Sequence, residues 1–276
     1  MTKSEKMKLH STFWLGECPC LLLIPAPVPE NLPPYHLQVE DPELMWVAQR
    51  DCARAVLDWP TDGIPTIRPN YGVVFLPAIA GQKYSLQGDQ MPWPGEHLTR
   101  DAIRRIREID LAQTEMMQRA ARIYEYYRTS GETEIAAYLA DTQGIFDIAH
   151  LLWGNDLFTA LLDESQHDWV TELMETSLDL YVRASRHLKR LLEEPLDQMI
   201  HGHGTPQGVF FPHGGVRVSE DTAILLSPDS IAEWVIPYAE RALATFGGGF
   251  AHFCGKHENL FVQLSQCGIV RAIDVQ

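Results

Sequence analysis

The sequence predicts an α/β fold: a parallel sheet with helical crossovers, of the (β/α)8 TIM-barrel type, lacking the last two β/α units. Three observations lead there. Short apolar runs set off by Gly and Pro alternate with longer stretches of helical periodicity, the pattern of strand–helix–strand crossovers. Six strand candidates can be counted where a closed barrel has eight. The 276 residues, 45% hydrophobic and 21% charged, suit one barrel-sized domain whose core needs no disulfide or metal to fold. The domain is therefore read as 1–276. Three explanations of the missing units stay open: an open barrel, two strands hidden before residue 100, or a fragment truncated at its C-terminus, the last being preferred.

In chain order, residues 1–12 are polar and expected to be frayed or weakly helical. Leu21 to Ile24, closed by Pro25, reads as a buried strand, followed by a proline-rich loop. Pro42 to Leu57 has helical spacing, and Gly63 to Ile67 is a second strand that Pro65 weakens. Residues 77–98 are rich in Gly and Pro and read as an irregular excursion. A long helical zone is predicted from about Thr99 to Arg128, then a third strand over Ile135 to Leu139, with a helix restarting at Ile145. From Gln166 to Leu192, Val170, Leu173, Met174, Leu178, Tyr181, Ala184, Leu188 and Leu191 form one stripe at the 3.6-residue period. Val209 to Phe211 is the fourth strand. Ser227-Pro228 opens the next helix with a serine cap and proline at the first helical position. Phe250 to Cys254 is the fifth strand, and Ile269 to Val275 is the sixth after one more helix.

Charge and cysteine content exclude some classes. A net charge of -15 argues against a nucleic-acid binder, which shows a basic face. Five cysteines, an odd and sparse number, do not form a disulfide framework and suggest a reducing cytoplasm. The apolar run after the N-terminal lysines is too short for a signal peptide, and no stretch approaches the ~20 apolar residues of a membrane span.

Three segments from residue 138 onward carry a family resemblance. They are Tyr138-Leu-Ala-Asp-Thr-Gln-Gly-Ile-Phe-Asp-Ile-Ala149, then Val218-Ser-Glu-Asp-Thr222 with Leu226-Ser-Pro228, then Phe246-Gly-Gly-Gly-Phe-Ala-His-Phe-Cys-Gly255. In this order, over roughly half the chain, they resemble the uroporphyrinogen decarboxylase superfamily; residues 1–130 match it only in general layout. The resemblance implies one of two chemistries. One branch decarboxylates uroporphyrinogen without a metal, using arginines near the first strand. The other moves methyl groups between corrinoids and thiols, with zinc on a His-x-Cys pair and a later cysteine. No Lys or Arg lies between Lys8 and Arg50, so the early arginine motif is missing. The pair His252 and Cys254 matches the zinc branch, with a corrinoid as methyl donor and a corrinoid protein as candidate partner.

Each candidate residue has a plainer alternative. On a strand His252 and Cys254 point to the same side and can meet one metal at the C-terminal mouth, where barrel active sites lie; the alternative is a buried cysteine beside a hydrogen-bonded histidine. Asp221, after Glu220, can orient substrate or carry a proton, or it belongs to a solvated turn. His213 closes the fourth strand at an expected mouth position, as a second catalytic candidate or a loop histidine. His201 and His203, in His201-Gly-His203-Gly204, either line the same mouth or belong to a loop, the loop being preferred. Asp141 and Gln143 follow the third strand, and Asp141 either binds substrate or caps the helix at Ile145. Asn70 and Tyr71 follow the second strand, where the decarboxylases place an essential aspartate. Arg68 and Arg217 can hold an acidic substrate, or lie on the surface. Cys18 and Cys20 are read as simple thiols, and Cys267 as lying at the wrong end of the barrel to be a ligand.

The expected function is a zinc-dependent corrinoid/thiol methyltransferase-type enzyme acting on a small molecule. The alternatives are a metal-independent decarboxylase of a tetrapyrrole or smaller acid, or a non-catalytic fragment. A homodimer completing the open barrel is left open.

Overall fold

The computed structural model describes residues 1–275. The principal elements are α1 (Lys3–Trp14), α2 (Pro42–Leu57), β1 (Ile64–Ile67), α3 (Glu115–Thr129), β2 (Ala136–Ala137), α4 (Ile145–Trp153), α5 (His167–Leu192), β3 (Met199–His201), β4 (Gln207–Phe211), β5 (Val216–Ser219), α6 (Ile236–Ala244), β6 (Gly249–Phe253), α7 (Glu258–Gln266) and β7 (Val270–Val275). β2 pairs with β1 in parallel, and β5, β6 and β7 form a parallel sheet in that order. The result is a mixed α/β architecture with a curled, half-barrel arrangement of sheets.

The long periodic elements form as their patterns require. α5 spans 26 residues and buries Val170, Leu173, Met174, Leu178, Tyr181, Ala184 and Leu188. It packs with α3, α4 and α6 around one large core. Ser227 caps its helix by accepting from the backbone N–H of Ser230 at 3.1 Å. That helix passes through a π turn over Ile231–Val235 before α6, next to Pro237, which has no N–H to give the regular ladder.

Several expectations are corrected. Leu21 to Ile24 is not a strand: Leu22 is 59% exposed, and its backbone pairs with Asp62 in a loop contact. The helical zone from Thr99 is broken by two 3-10 turns, and its main helix begins only at Glu115. The third strand contributes two ladder residues. The largest correction concerns Val209 to Phe211. It lies in β4, which pairs antiparallel with β3 and with β1, so it belongs to a hairpin and not to a β/α unit. Phe211 and Met199 of this hairpin pack on Phe250, placing it against β6. The parallel strand in that part of the chain is β5, which the sequence reading left unassigned. β5 is four residues long and fully buried, so no polar alternation marks it.

Candidate functional site

The register of the β5–β6–β7 sheet assembles the site. Ser219, His252 and Asp274 are direct neighbours across the three strands, and Arg217, Phe250 and Ala272 form the next row on the same face. Beyond these rows the chain turns at the C-terminal ends of β1, β2, β5 and β6. Those ends carry Arg68, Asp141, Asp221 and Cys254.

His252 is the centre. It is 1% exposed. Its Nε2 lies 3.3 Å from Asp221 Oδ1 and 3.3 Å from Cys254 Sγ, and its Nδ1 lies 3.2 Å from Asp274 Oδ2. Burial disfavours a charged imidazole, but hydrogen bonds to Asp221, Asp274 and Cys254 outweigh it and raise the histidine to about 10. Burial also pushes Asp221 up, and its hydrogen bonds to His252 and the Cys254 N–H bring it below the ordinary value. The Cys254 N–H donates to Asp221 Oδ1 at 2.6 Å, fixing the acid beside the thiol. Asp221, His252 and Cys254 offer ligand atoms within 4.8 Å of one another, as do His203, His252 and Asp274. Nitrogen, thiol and carboxylate are donor types that zinc accepts, and Cys254 is exposed.

A second cluster adjoins the first. Arg217 Nη2 donates to Asp141 Oδ1, and Arg68 Nη1 lies 3.7 Å from Asp141 Oδ2. Burial pushes Asp141 up, but Arg217, Arg68 and the hydrogen bonds from Gln143 hold it at about 2. Gln143 Nε2 donates to Asp141 at 2.8 Å, and Arg68 Nη2 donates to Asn70 Oδ1 at 3.0 Å. His203 joins the clusters: its Nδ1 accepts from Arg217 Nη1 at 3.0 Å, and its ring lies 4.1 Å from that of His252. Burial, then the charge of Arg217, lowers His203 to about 4.

Of the sequence-predicted residues, His252, Cys254, Asp221, Asp141, Gln143, Arg217 and Asn70 come together. Two do not. His213 precedes the N-terminal end of β5 beside Trp14 and Arg271, at the opposite end of the strand from Asp221, because β4 runs antiparallel. Tyr71 is fully buried and stacks on Phe75 in the core. Asp141 is not the cap of α4: Glu220 performs that task, accepting from the N–H groups of Ile145 at 2.9 Å and Phe146 at 3.2 Å. Gly144 makes this approach feasible, since a Cβ there would strike the Glu220 carboxyl. Arg68 and Arg217 are buried, not surface arginines. Sequence reasoning gives Asp274 no role; His203 lies in a turn, as expected, and that turn also lines the site. Strand alternation along β7 was the available signal for Asp274.

No known protein-family profile and no curated protein sequence matches the chain. Among solved structures, a methyltransferase from Methanosarcina mazei superposes with a TM-score of 0.66 at 12% identity, covering 97% of this chain and 75% of that one. This is a likeness of fold. Among the described residues no helix is long and apolar enough to cross a membrane.

Proposed function

We propose that the chain is a zinc-dependent, methyltransferase-type enzyme of the uroporphyrinogen-decarboxylase-like barrel class, read as one domain over 1–276 and acting on a small molecule. One observation carries the reading: Asp221, His252 and Cys254 bring three different donor types together at the C-terminal ends of parallel strands. The fold likeness to a methyltransferase supports it. Asp221, His252 and Cys254 would hold zinc, which would act as a Lewis acid that lowers the pKa of a coordinated thiol, and a corrinoid is the methyl donor this reading favours. The protein's own part is positional. Asp274 accepts from His252 Nδ1–H, which would leave Nε2 free to hold zinc, while the Cys254 N–H holds Asp221 in place.

The test is metal content of tag-free protein beside a His252→Ala/Cys254→Ser double variant. About one zinc per chain, lost in the variant while circular dichroism is unchanged, is expected. Metal-free native protein with an intact fold removes the reading. A metal-independent decarboxylase is the second reading. The buried arginines favour it, and it predicts carbon dioxide release that survives chelation.

A further inference from the structure

A groove of about 900 Å³ runs along the C-terminal third of α5, away from the His252 centre. Two cations build its walls. Arg183 donates to the carbonyl groups of Arg107 and Ile109, which fixes the segment that carries Leu111. Lys189, whose side chain is fully buried, donates to Glu194 and to the carbonyl groups of Pro195 and Gln198, which fixes the segment that carries Leu196. Between the walls α5 presents Arg186, His187 and Arg190, three, four and seven residues after Arg183 and so on one helical face. Arg186 and Arg190 are exposed. Among the described residues Arg186 forms no ion pair or side-chain hydrogen bond, and Arg190 reaches only the ring of His187, at 3.4 Å. Both carboxylates of the groove are engaged: Glu194 by Lys189 at 2.7 Å, and Asp110 by the Ala112 N–H at 3.1 Å. Two guanidinium groups are left in surplus, in a chain whose net charge is -15. The groove also lies at the opposite end of β5 from Asp221. The Gly214 N–H donates to the Asp197 carbonyl at 2.7 Å, tying the chain beside Leu196 to the turn before β5.

We propose that this groove docks an acidic amphipathic helix of a partner protein. Carboxylates three and four residues apart on one helix face repeat at the spacing of the α5 stripe, so a single register pairs them with Arg186 and Arg190. Two turns of helix, ~10 Å long and ~10 Å across, fill roughly 800 Å³, a volume the groove matches. Leu111, Leu191 and Leu196, the last 46% exposed, offer apolar surface that the leucines of such a helix cover and an inorganic polyanion leaves bare. The negative charge of the rest of the chain repels an acidic partner and steers it to this face. A helix bound here leaves the C-terminal ends of the strands open. Docking is thus separable from the chemistry at His252 and does not depend on the zinc reading.

The experiment uses the full chain and three synthetic helical peptides that share one leucine face and carry Glu, Gln or Lys beside it. Fluorescence anisotropy reads binding at low and high salt, and circular dichroism checks the fold of each variant. The Glu peptide is expected to bind, more weakly as salt is raised, and the Gln and Lys peptides to bind about tenfold more weakly or worse. Arg186→Glu with Arg190→Glu should weaken the Glu peptide at least about tenfold, and Arg186→Gln with Arg190→Gln, which adds no repulsion, by less. The same charge reversal at Lys8 and Arg122, exposed residues outside the groove, should leave affinity nearly unchanged. Equal binding of the Glu and Gln peptides to native protein, or full Glu-peptide affinity in either Arg186/Arg190 variant, overturns the proposal. Inorganic triphosphate that binds more tightly than the Glu peptide and is lost in the same variants overturns the helix assignment. A native dimer in sedimentation that Arg186→Gln with Arg190→Gln dissociates makes the occupant a second copy, and overturns the assignment to another protein.

Discussion

Glu220 and Asp221 are adjacent in sequence and sit in two unlike environments. Glu220 is fully buried and, with the 3% exposed Asp147, forms a reciprocal clasp: Glu220 accepts from the first turn of α4, and Asp147 accepts from the N–H groups of Asp221 at 2.9 Å and Thr222 at 2.8 Å. Backbone donors engage both carboxyl groups; burial, then the charge of Asp221, raises Asp147 to about 7, and burial, then the charge of Asp147, raises Glu220. Asp221 instead meets His252, the Ser219 hydroxyl and the Cys254 backbone N–H, and like Asp274 it stays about a third exposed. A carboxylate engaged by backbone ties elements together. One bound to a histidine, with access to solvent, is available to a ligand. The contrast sets α4 and Glu220 with the scaffold and Asp221 with the proposed His252 site.

Breaking the clasp should have the largest effect. Glu220→Ala leaves buried N–H groups of α4 without an acceptor and is expected to cost about 3 kcal/mol of stability by denaturant titration. A loss well below 1 kcal/mol refutes the scaffold role. The arginine-held carboxylate comes next. Asp141 has a folded value of about 2 against an ordinary 3.8, so its stabilisation is complete above pH 4 and lost as pH falls through 2. That is about 2 kcal/mol of acid sensitivity, read from stability between pH 5 and pH 2 and missing in Asp141→Asn. The smallest effect sharpens the other side. Asp274→Asn should lower zinc affinity about tenfold, with stability changed by under about 1 kcal/mol. Unchanged affinity in a competition titration with a chelator means that Asp274 does not orient His252.

Legibility in the sequence followed the range of the interactions. The α5 stripe, the Ser227 cap and β6 with its His252-x-Cys254 pair rest on local periodicity and local hydrogen bonds, and each was readable. The β3–β4 hairpin was misread because a three-residue apolar run has the same composition whether its partner is parallel or antiparallel. That error carried His213 to the wrong end. β5 was missed because Val216–Ser219 is short and buried on both faces.

The sequence by itself determined the α/β class and the long amphipathic helices, since these depend on residue type and near neighbours. Only the tertiary structure decided that Asp274 lies beside His252, that Asp221 closes the trio, and that Arg68 and Arg217 meet over Asp141. Each of those contacts needs a sheet register or a chain reversal, set by packing over tens of residues, and no local pattern encodes which strand will lie next to which.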